Sequence, residues 1–355
     1  MRTRVAICGS GNRSRTVWQR LVRDSLEFEL VGVQDVSQTS LDQAVALGNI
    51  TSAHGYLELE QMLEQTQPDA LIVCPINEAH AAAIEAGLRA RCHVLVEKPL
   101  TTELSEAVRL TEMAESKGLT LAVVQNWRTK DVGRLLRRAI GEGVIGSVSH
   151  IFFRYLRDRE LPHLPGYLFE ESDPLLYAMG IHHFDLFRYI LGQEIIRMEG
   201  HAFRPSWSRY QHPSGMQLWM ETDGGVVISY VATFSSRNAH LPLESLQVEG
   251  ELGTLSNESE YSEPPLWLSL REAKSLVDLA GDVKVRDRQG QYDLADGAIL
   301  INFHAAINCG EPLISPAREN LGTLAMIEAA RRCYREQRAV NPQDLLTPDR
   351  NQILR

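Results

Sequence analysis

The stretch Val94-Leu95-Val96-Glu97-Lys98-Pro99 ends an apolar run in a carboxylate, an amine and a proline. In an open parallel sheet the ligand crevice lies beyond the carboxyl ends of the strands. Glu97 and Lys98 are therefore placed to face it, and Pro99 stops the strand. A second apolar run, Arg4 to Cys8, breaks into Gly9-Ser10-Gly11-Asn12-Arg13-Ser14. Gly9 permits a tight turn and Gly11 lets backbone approach a pyrophosphate. A helix over Thr16 to Val22 would offer that anion its N–H groups and partial positive charge. Ser14 stands where the usual pattern has a third glycine. Asp35 closes the run Phe28 to Gln34, 24 residues after Gly11, where a ribose-binding acid is expected at a spacing of about 20. A carboxylate there accepts hydrogen bonds from both ribose hydroxyls and repels a 2'-phosphate, which favours NAD over NADP. In Gly180-Ile181-His182-His183-Phe184-Asp185, a helix would set His182 and Asp185 one turn apart, a pairing suited to proton transfer. Adjacent histidines on an apolar helix are, however, more often packing or cap residues.

The elements that must hold these residues follow from the pattern. Helices are expected over Leu41 to Gly48 and Leu57 to Gln65. The strand Ala70 to Val73 runs into Cys74-Pro75-Ile76-Asn77-Glu78-Ala79-His80, and helical Ala81 to Arg89 follows. Thr101-Thr102-Glu103 can cap a helix over Leu104 to Lys117, with Gly118 as its stop. A further strand, Thr120 to Val124, leads into Gln125-Asn126-Trp127-Arg128. This alternation predicts an α/β fold with a doubly wound parallel sheet, a dinucleotide-binding domain over residues 1–125. Beyond it come a helix over Val132 to Gly141, the turn Gly143 to Gly146, and alternating strands in Ser147 to Arg157, Arg197 to Phe203, Gln217 to Glu221, Val226 to Phe234 and Leu243 to Glu249. Ala298 to Cys309 and Glu319 to Gln337 read as helices. Residues 126–355 are thus expected to form an α+β domain with a large, open, mostly antiparallel sheet. A face left uncovered predicts a homodimer or homotetramer built on strands between Arg197 and Glu249.

A chain of 355 residues suggests two domains, and a net charge of −10 argues against non-specific nucleic-acid binding. The five cysteines are scattered without a CxxC pair, so neither a disulfide framework nor a zinc site is indicated, and no metal is expected. A reducing cytoplasm fits this usage. No signal-type segment opens the chain, and no window approaches the roughly 18 apolar residues of a membrane helix.

Taken together, the glycine turn with Asn12 and Arg13, Asp35, the Cys74 to His80 loop, Glu97-Lys98-Pro99, Gln125 to Arg128, Gly143 to Gly146 and Gly180-Ile181-His182-x-x-Asp185 resemble the glucose-fructose oxidoreductase and inositol dehydrogenase family, GFO/IDH/MocA. Val248-Glu249-Gly250-Glu251-Leu252-Gly253-Thr254 looks like that family's strand and glycine turn near its sheet. The resemblance spans nearly the whole chain. It implies a Rossmann domain followed by an open-sheet domain, oxidation or reduction of sugars and cyclitols with NAD or NADP, and oligomers formed through the sheet.

Carried over residue by residue, the resemblance makes Lys98 the lysine that contacts the nicotinamide ribose and the reacting hydroxyl. His182 becomes the histidine of an Asp-x-x-x-His motif. Cofactor contacts are expected from Gly9, Gly11, Asn12, Arg13, Asp35, Cys74, Pro75, Asn77, His80, Glu97, Lys98, Gln125, Trp127 and Arg128, and substrate contacts from His183, Asp185, Arg154 and Tyr155. Ala178 stands in place of the motif's aspartate, and Phe169 to Pro174 lacks the family's glycine-rich segment. Asp185 or an acid of the Glu170 to Asp173 loop could substitute. Arg154, Arg157, Arg159, Arg204, Arg209 and Arg237, with His163, Trp207, Tyr210, His212 and His240, form a set suited to sugars or carboxylates, or else a solvated surface. The leading expectation is an NAD-dependent dehydrogenase acting on a secondary alcohol of a sugar or polyol. Two alternatives use the same fold: an NAD-dependent glycoside hydrolase, and a non-catalytic sugar or nucleotide sensor favoured by Ala178.

Overall fold

The computed structural model describes residues 2–346 apart from 238–240, 260–262, 274, 282 and 284–287, so His240 lies outside the described residues. Six strands, β1 (Thr3–Cys8), β2 (Phe28–Gln34), β3 (Gly55–Tyr56), β4 (Ala70–Val73), β5 (His93–Val96) and β6 (Leu121–Val123), pair in parallel in the order β3-β2-β1-β4-β5-β6. This is the doubly wound order, and its switch point lies between β1 and β4. The central strands are nearly continuous apolar runs because both faces are covered, and Ile7, Val33, Ile72 and Leu95 have no exposed surface. Helices α1 (Gln19–Asp24), α2 (Gln38–Ala46), α3 (Leu59–Thr66), α4 (His80–Arg89) and α5 (Leu104–Ser116) alternate with them. Ahead of α1 the chain winds through a wide π turn, Ser14–Trp18. Glu103 takes the cap position of α5 without a side-chain bond, and the Thr101 hydroxyl donates to the Glu103 carbonyl instead, so the cap expected there is not made. Gly118, at a φ of +64°, follows the helix as its stop.

The second sheet follows α6 (Asp131–Gly141). Its strands are β7 (Val148–Leu156), β8 (Ile195–Phe203), β9 (Gly215–Thr222), β10 (Val227–Thr233), β11 (Glu244–Gly250), β12 (Gly253–Ser259), β13 (Trp267–Leu270) and β14 (Val277–Asp278). They run in the order β14-β13-β12-β11-β7-β10-β9-β8, antiparallel except where β7 meets β10. The parallel pair arises because α7 (Ile181–Leu191) lies in the connection that leaves β7.

Two further helices, α8 (Arg288–Cys309) and α9 (Ala317–Glu336), follow, and a short 3-10 turn, Pro342–Leu345, comes after them. The chain groups into two compact units, Met1–Thr129 with Asp287–Leu321 and Lys130–Arg286 with Gly322–Arg355. A single cut after Gln125 does not describe this division. The reason is α8, whose Ile299, Leu300 and Phe303 join the core of the parallel sheet with Val5, Trp18 and Phe28.

In the second unit α7 is buried on nearly every side, and its residues from Ile181 to Arg188, with His182, His183, Asp185 and Arg188 among them, have little exposed surface. Its His183 packs on the rings of Phe153 and Tyr155, with centroids 4.6 and 5.0 Å away, and its Nδ1 lies 2.9 Å from the Tyr230 hydroxyl. Burial pushes the His183 imidazole down to about 3. The unfolded chain therefore binds a proton that the folded chain refuses. The corresponding stability is fully present above about pH 6.5 and is lost as pH falls towards 3, at up to about 1.4 kcal/mol per pH unit. Urea unfolding at pH 7, 6 and 5 is expected to show this slope. His183→Asn, which keeps a partner for Tyr230, should flatten it; an unchanged slope in that variant would acquit His183.

Candidate functional site

Gly9 carries a φ of +92°, and a Cβ on it would lie 2.5 Å from the Cys74 carbonyl oxygen, so β1 and β4 meet at a position only glycine fits. A Cβ on Gly11 would meet nothing within 4 Å, leaving open space above the loop. Beside it, the Asp35 carboxylate accepts from the Ser10 N–H at 2.6 Å and the Ser37 N–H at 2.9 Å. The acid that closes β2 thus fixes the glycine loop while remaining half-buried at the crevice. Asn12 is exposed, and its carbonyl accepts from the Thr16 hydroxyl. Ser14, at the third glycine position, is fully buried and takes a bond from the Gln19 amide, which also donates to the Ser10 hydroxyl.

Arg13 turns towards the protein interior. Its Nε donates to Glu97 at 2.6 Å, and its Nη2 lies 2.8 Å from the Asp296 carboxylate of α8. Glu97 also accepts from the Trp18 indole N–H at 2.8 Å and from the Lys98 N–H at 3.3 Å. Burial pushes the Glu97 carboxyl up, but the Arg13 charge and these hydrogen bonds outweigh it and leave it below its ordinary value. Asp296 is fully buried and accepts from the Asn126 amide at 3.1 Å. The buried His80 lies with its Nδ1 2.7 Å from the Pro99 carbonyl, holding the turn after Lys98, and burial lowers its pKa. Cys74 is buried and its thiol is raised well above the usual range, chiefly by desolvation, so its backbone alone faces Gly9. Pro75 and Asn77 are half-buried beyond it. After β6, Trp127 is buried, and Arg128 donates to the Ile314 carbonyl at 2.9 Å and pairs with Glu319. Gln125 is fully buried with neither amide atom bonded.

These observations fit a dinucleotide: open space over Gly11, a half-buried acid at the end of β2, and a buried carboxamide without partners after β6. Trp18 and Asp296 were absent from the sequence reading. For Asp296 a signal existed, an acid on the same helical face as Ile299, Leu300 and Phe303.

In the second unit His182 is buried on α7 directly after a π turn, Leu176–Gly180, that contains Ala178. Asp185 is buried and accepts from the Thr323 hydroxyl at 3.1 Å. Asp173 is tied to α9 by Arg331 at 3.1 Å, Arg335 at 3.0 Å and the Tyr334 hydroxyl, so this acid of the loop already serves three donors. His183 belongs to the core rather than to a ligand surface. Arg154 and Tyr155 do not act as a pair, since neighbours on a strand point to opposite faces: Tyr155 is fully buried beneath α7, and Arg154 lies in a groove on the other face. Most of the arginine set is used to fold loops. Arg209 stacks 4.0 Å from Phe169 and donates to the Leu161 carbonyl, Arg237 covers Trp207 and pairs with Asp158, and Arg204 bonds the Ser208 and Tyr210 carbonyls. The buried Glu160 draws this region together by accepting from Ser208, Ser235 and the Arg209 N–H. Among the described residues no cluster of three or more His, Cys, Asp or Glu is placed to hold a metal ion, and no helix is long and apolar enough to cross a membrane.

A glycine turn at the switch point of a 3-2-1-4-5-6 sheet, with an acid closing β2, defines a dinucleotide-binding protein of the Rossmann class. Residues 3–125 match the model of an oxidoreductase family with an NAD-binding Rossmann fold, and residues 134–256 match the GFO/IDH/MocA C-terminal domain. The chain belongs to the GFO/IDH/MocA oxidoreductase family. It is 27% identical to an inositol 2-dehydrogenase of Saccharopolyspora erythraea over 86% of each chain. It is 25% identical to a D-apiose dehydrogenase of Paraburkholderia graminis, over 96% of this chain and 90% of that one. Its fold matches an oxidoreductase from Agrobacterium radiobacter, solved with NAD+, L-tartaric acid and magnesium, at a TM-score of 0.86 and 17% identity, over 97% of this chain and all of that one.

The two glycines are expected to separate by experiment. Gly9→Ala should destabilise the chain by about 2–5 kcal/mol, through overpacking on Cys74 and the positive φ. Gly11→Ala should melt within about 1 kcal/mol of the parent yet bind NAD at least about tenfold more weakly. Thermal unfolding with NAD titration checks both, and unchanged NAD affinity in Gly11→Ala would remove Gly11 from the pyrophosphate contact.

Proposed function

We propose that this protein is a cytoplasmic NAD-dependent oxidoreductase that moves a hydride between nicotinamide and a hydroxyl-bearing carbon of a sugar, polyol or cyclitol. The observation that carries the reading is Asp35, bonded to the Ser10 N–H on a parallel sheet of dinucleotide-binding order, in a chain matched by both domain models of one oxidoreductase family. Bound NAD would supply the hydride acceptor. The chain's own residues place it: the Gly9 to Asn12 backbone meets the pyrophosphate, Asp35 meets the ribose, and the buried Gln125 amide offers a donor and an acceptor. His182 takes the proton of the reacting hydroxyl with Lys98 assisting, a contribution of typically about 10²- to 10⁴-fold for a positioned base. The inositol and apiose dehydrogenases among its relatives support a polyol or sugar as substrate.

Ala178 favours a second reading, a sugar or nucleotide sensor, because a methyl group cannot orient or polarise an imidazole. Rates decide between the two. His182→Ala and Lys98→Ala should each lower kcat by about 10²-fold or more at saturating NAD, with folding and NAD affinity measured alongside. Binding of NAD and sugars with no turnover on any sugar or polyol would establish the sensor. Cofactor choice gives a separate check. NAD should bind more tightly than NADP, and Asp35→Ala should narrow the gap while also weakening NAD itself, since it frees the Ser10 loop. Equal binding of both cofactors by the parent protein would contradict the ribose role.

For assembly we propose a homodimer or homotetramer through the open face of the second sheet. The register aligns Trp267, Ser256, Gln247, Phe152, Ser229, Trp219 and Glu199 in one row across it. Phe152 is 48% exposed, and Trp219 and Trp267 are each 37% exposed, an aromatic row that a second copy can cover. Light scattering at micromolar concentration should give a multiple of 39.9 kDa; a monomeric mass would refute the interface.

A further inference from the structure

One guanidinium serves two buried carboxylates in the first unit. Glu97 has three donors, the Arg13 Nε, the Trp18 indole N–H and the Lys98 N–H. Asp296 has the Arg13 Nη2 at 2.8 Å and the Asn126 amide at 3.1 Å. We propose that Asp296 is a positioning residue for the dinucleotide: it shares Arg13 with Glu97, and by yielding the guanidinium to Glu97 as the cofactor's phosphates arrive it seats the phosphate loop against the Glu97-Lys98-Pro99 turn.

The geometry gives the reason. Arg13 follows Gly9 to Asn12 directly, so its position sets where the loop's N–H groups point, and Asp296 grips the end of the guanidinium that Glu97 does not. The groups around Asp296 are Arg13 after β1, Cys74 after β4, Glu97 with Lys98 beside it after β5, and Asn126 after β6. With Cys74 held as a neutral thiol, Glu97 and Asp296 compete for Arg13, and Glu97 has the stronger set of donors. Burial raises the Asp296 carboxyl, Arg13 lowers it and Glu97 raises it again, to about 7.

A pyrophosphate on the adjoining loop adds negative charge and raises Asp296 further. Because the pKa in the complex lies above that of the free protein, the extra affinity is fully present below about pH 7. It is lost as pH rises through the value in the complex.

The inference rests on dinucleotide binding and not on the substrate, so its test uses NAD alone. NAD is titrated calorimetrically into the full chain at pH 6.5, 7.5 and 8.5, with pH 7.5 repeated in two buffers of different ionisation enthalpy. The parent protein should take up a few tenths of a proton at pH 7.5, and its Kd should rise roughly threefold to tenfold from pH 6.5 to 8.5. Asp296→Asn, a neutral isostere that keeps the acceptor for Asn126, should bind NAD with a flat pH profile and no proton uptake. A parent protein without uptake overturns the proposal by itself, whatever the folding of the variant. So does equal uptake in Asp296→Asn. Neither result depends on turnover, so the hydride-transfer reading stands or falls separately.

Discussion

The first unit is organised on the Arg13 cation, which pairs with carboxylates from two distant parts of the chain, one of them fully buried. A carboxylate of this kind costs several kcal/mol to bury unless it is paired and hydrogen-bonded. Here the pairing also performs a mechanical task. Arg13 joins the loop after β1 to the end of β5 through Glu97 and to α8 through Asp296, and Asn126 brings in the end of β6. Trp18 completes the cage from below, with the guanidinium 5.7 Å from its ring. The strand ends that must converge on a cofactor are thereby cross-braced by charge, while the sheet beneath them is held by apolar packing.

The second unit solves a different problem. A helix buried on almost every side must find partners for its polar groups within the protein, and three side chains of α7 find theirs beyond the helix. His183 meets Tyr230 on the sheet, Asp185 meets Thr323 of α9, and Arg188 donates to that same Thr323 at 3.0 Å and to Glu194. Even the small residues are constrained, since a Cβ on Gly322 would lie 2.6 Å from the Arg188 guanidinium. Such cross-links fix the rotation of α7, and with it the position of His182.

The parallel sheet, its order of helices and strands, the glycine turn and Asp35 were legible because each depends on local pattern: apolar runs buried on both faces, turn residues at their ends, an acid at a set spacing. The antiparallel strands were legible for a related reason, period-2 alternation, and the boundaries of β7, β10 and β11 fall within a residue of those expected. Strands β3, β13 and β14 went unforeseen because they are short, two, four and two residues, and offer too little alternation to read, and β12 was met only at its glycine turn, Gly250 to Thr254.

What the tertiary structure decided concerns partners far apart in the chain. Arg13 reads as a phosphate-loop cation until the fold brings Glu97, 84 residues away, within 2.6 Å. Asp296 is invisible as a site residue until α8 returns to the first sheet and meets Asn126 across 170 residues. His80 and His183, both polar in sequence, become neutral core groups because the fold seals them from water. Arg154 and Tyr155 sit side by side in sequence and are parted by the pleat, and Asp173 is claimed by α9. The amino-acid pattern thus determined which elements form and where a dinucleotide can lie, since those follow from short-range periodicity and turn chemistry. Which charged side chain faces the ligand and which braces the protein was decided by long-range packing, because burial and pairing of a charge depend on neighbours that local sequence does not contain.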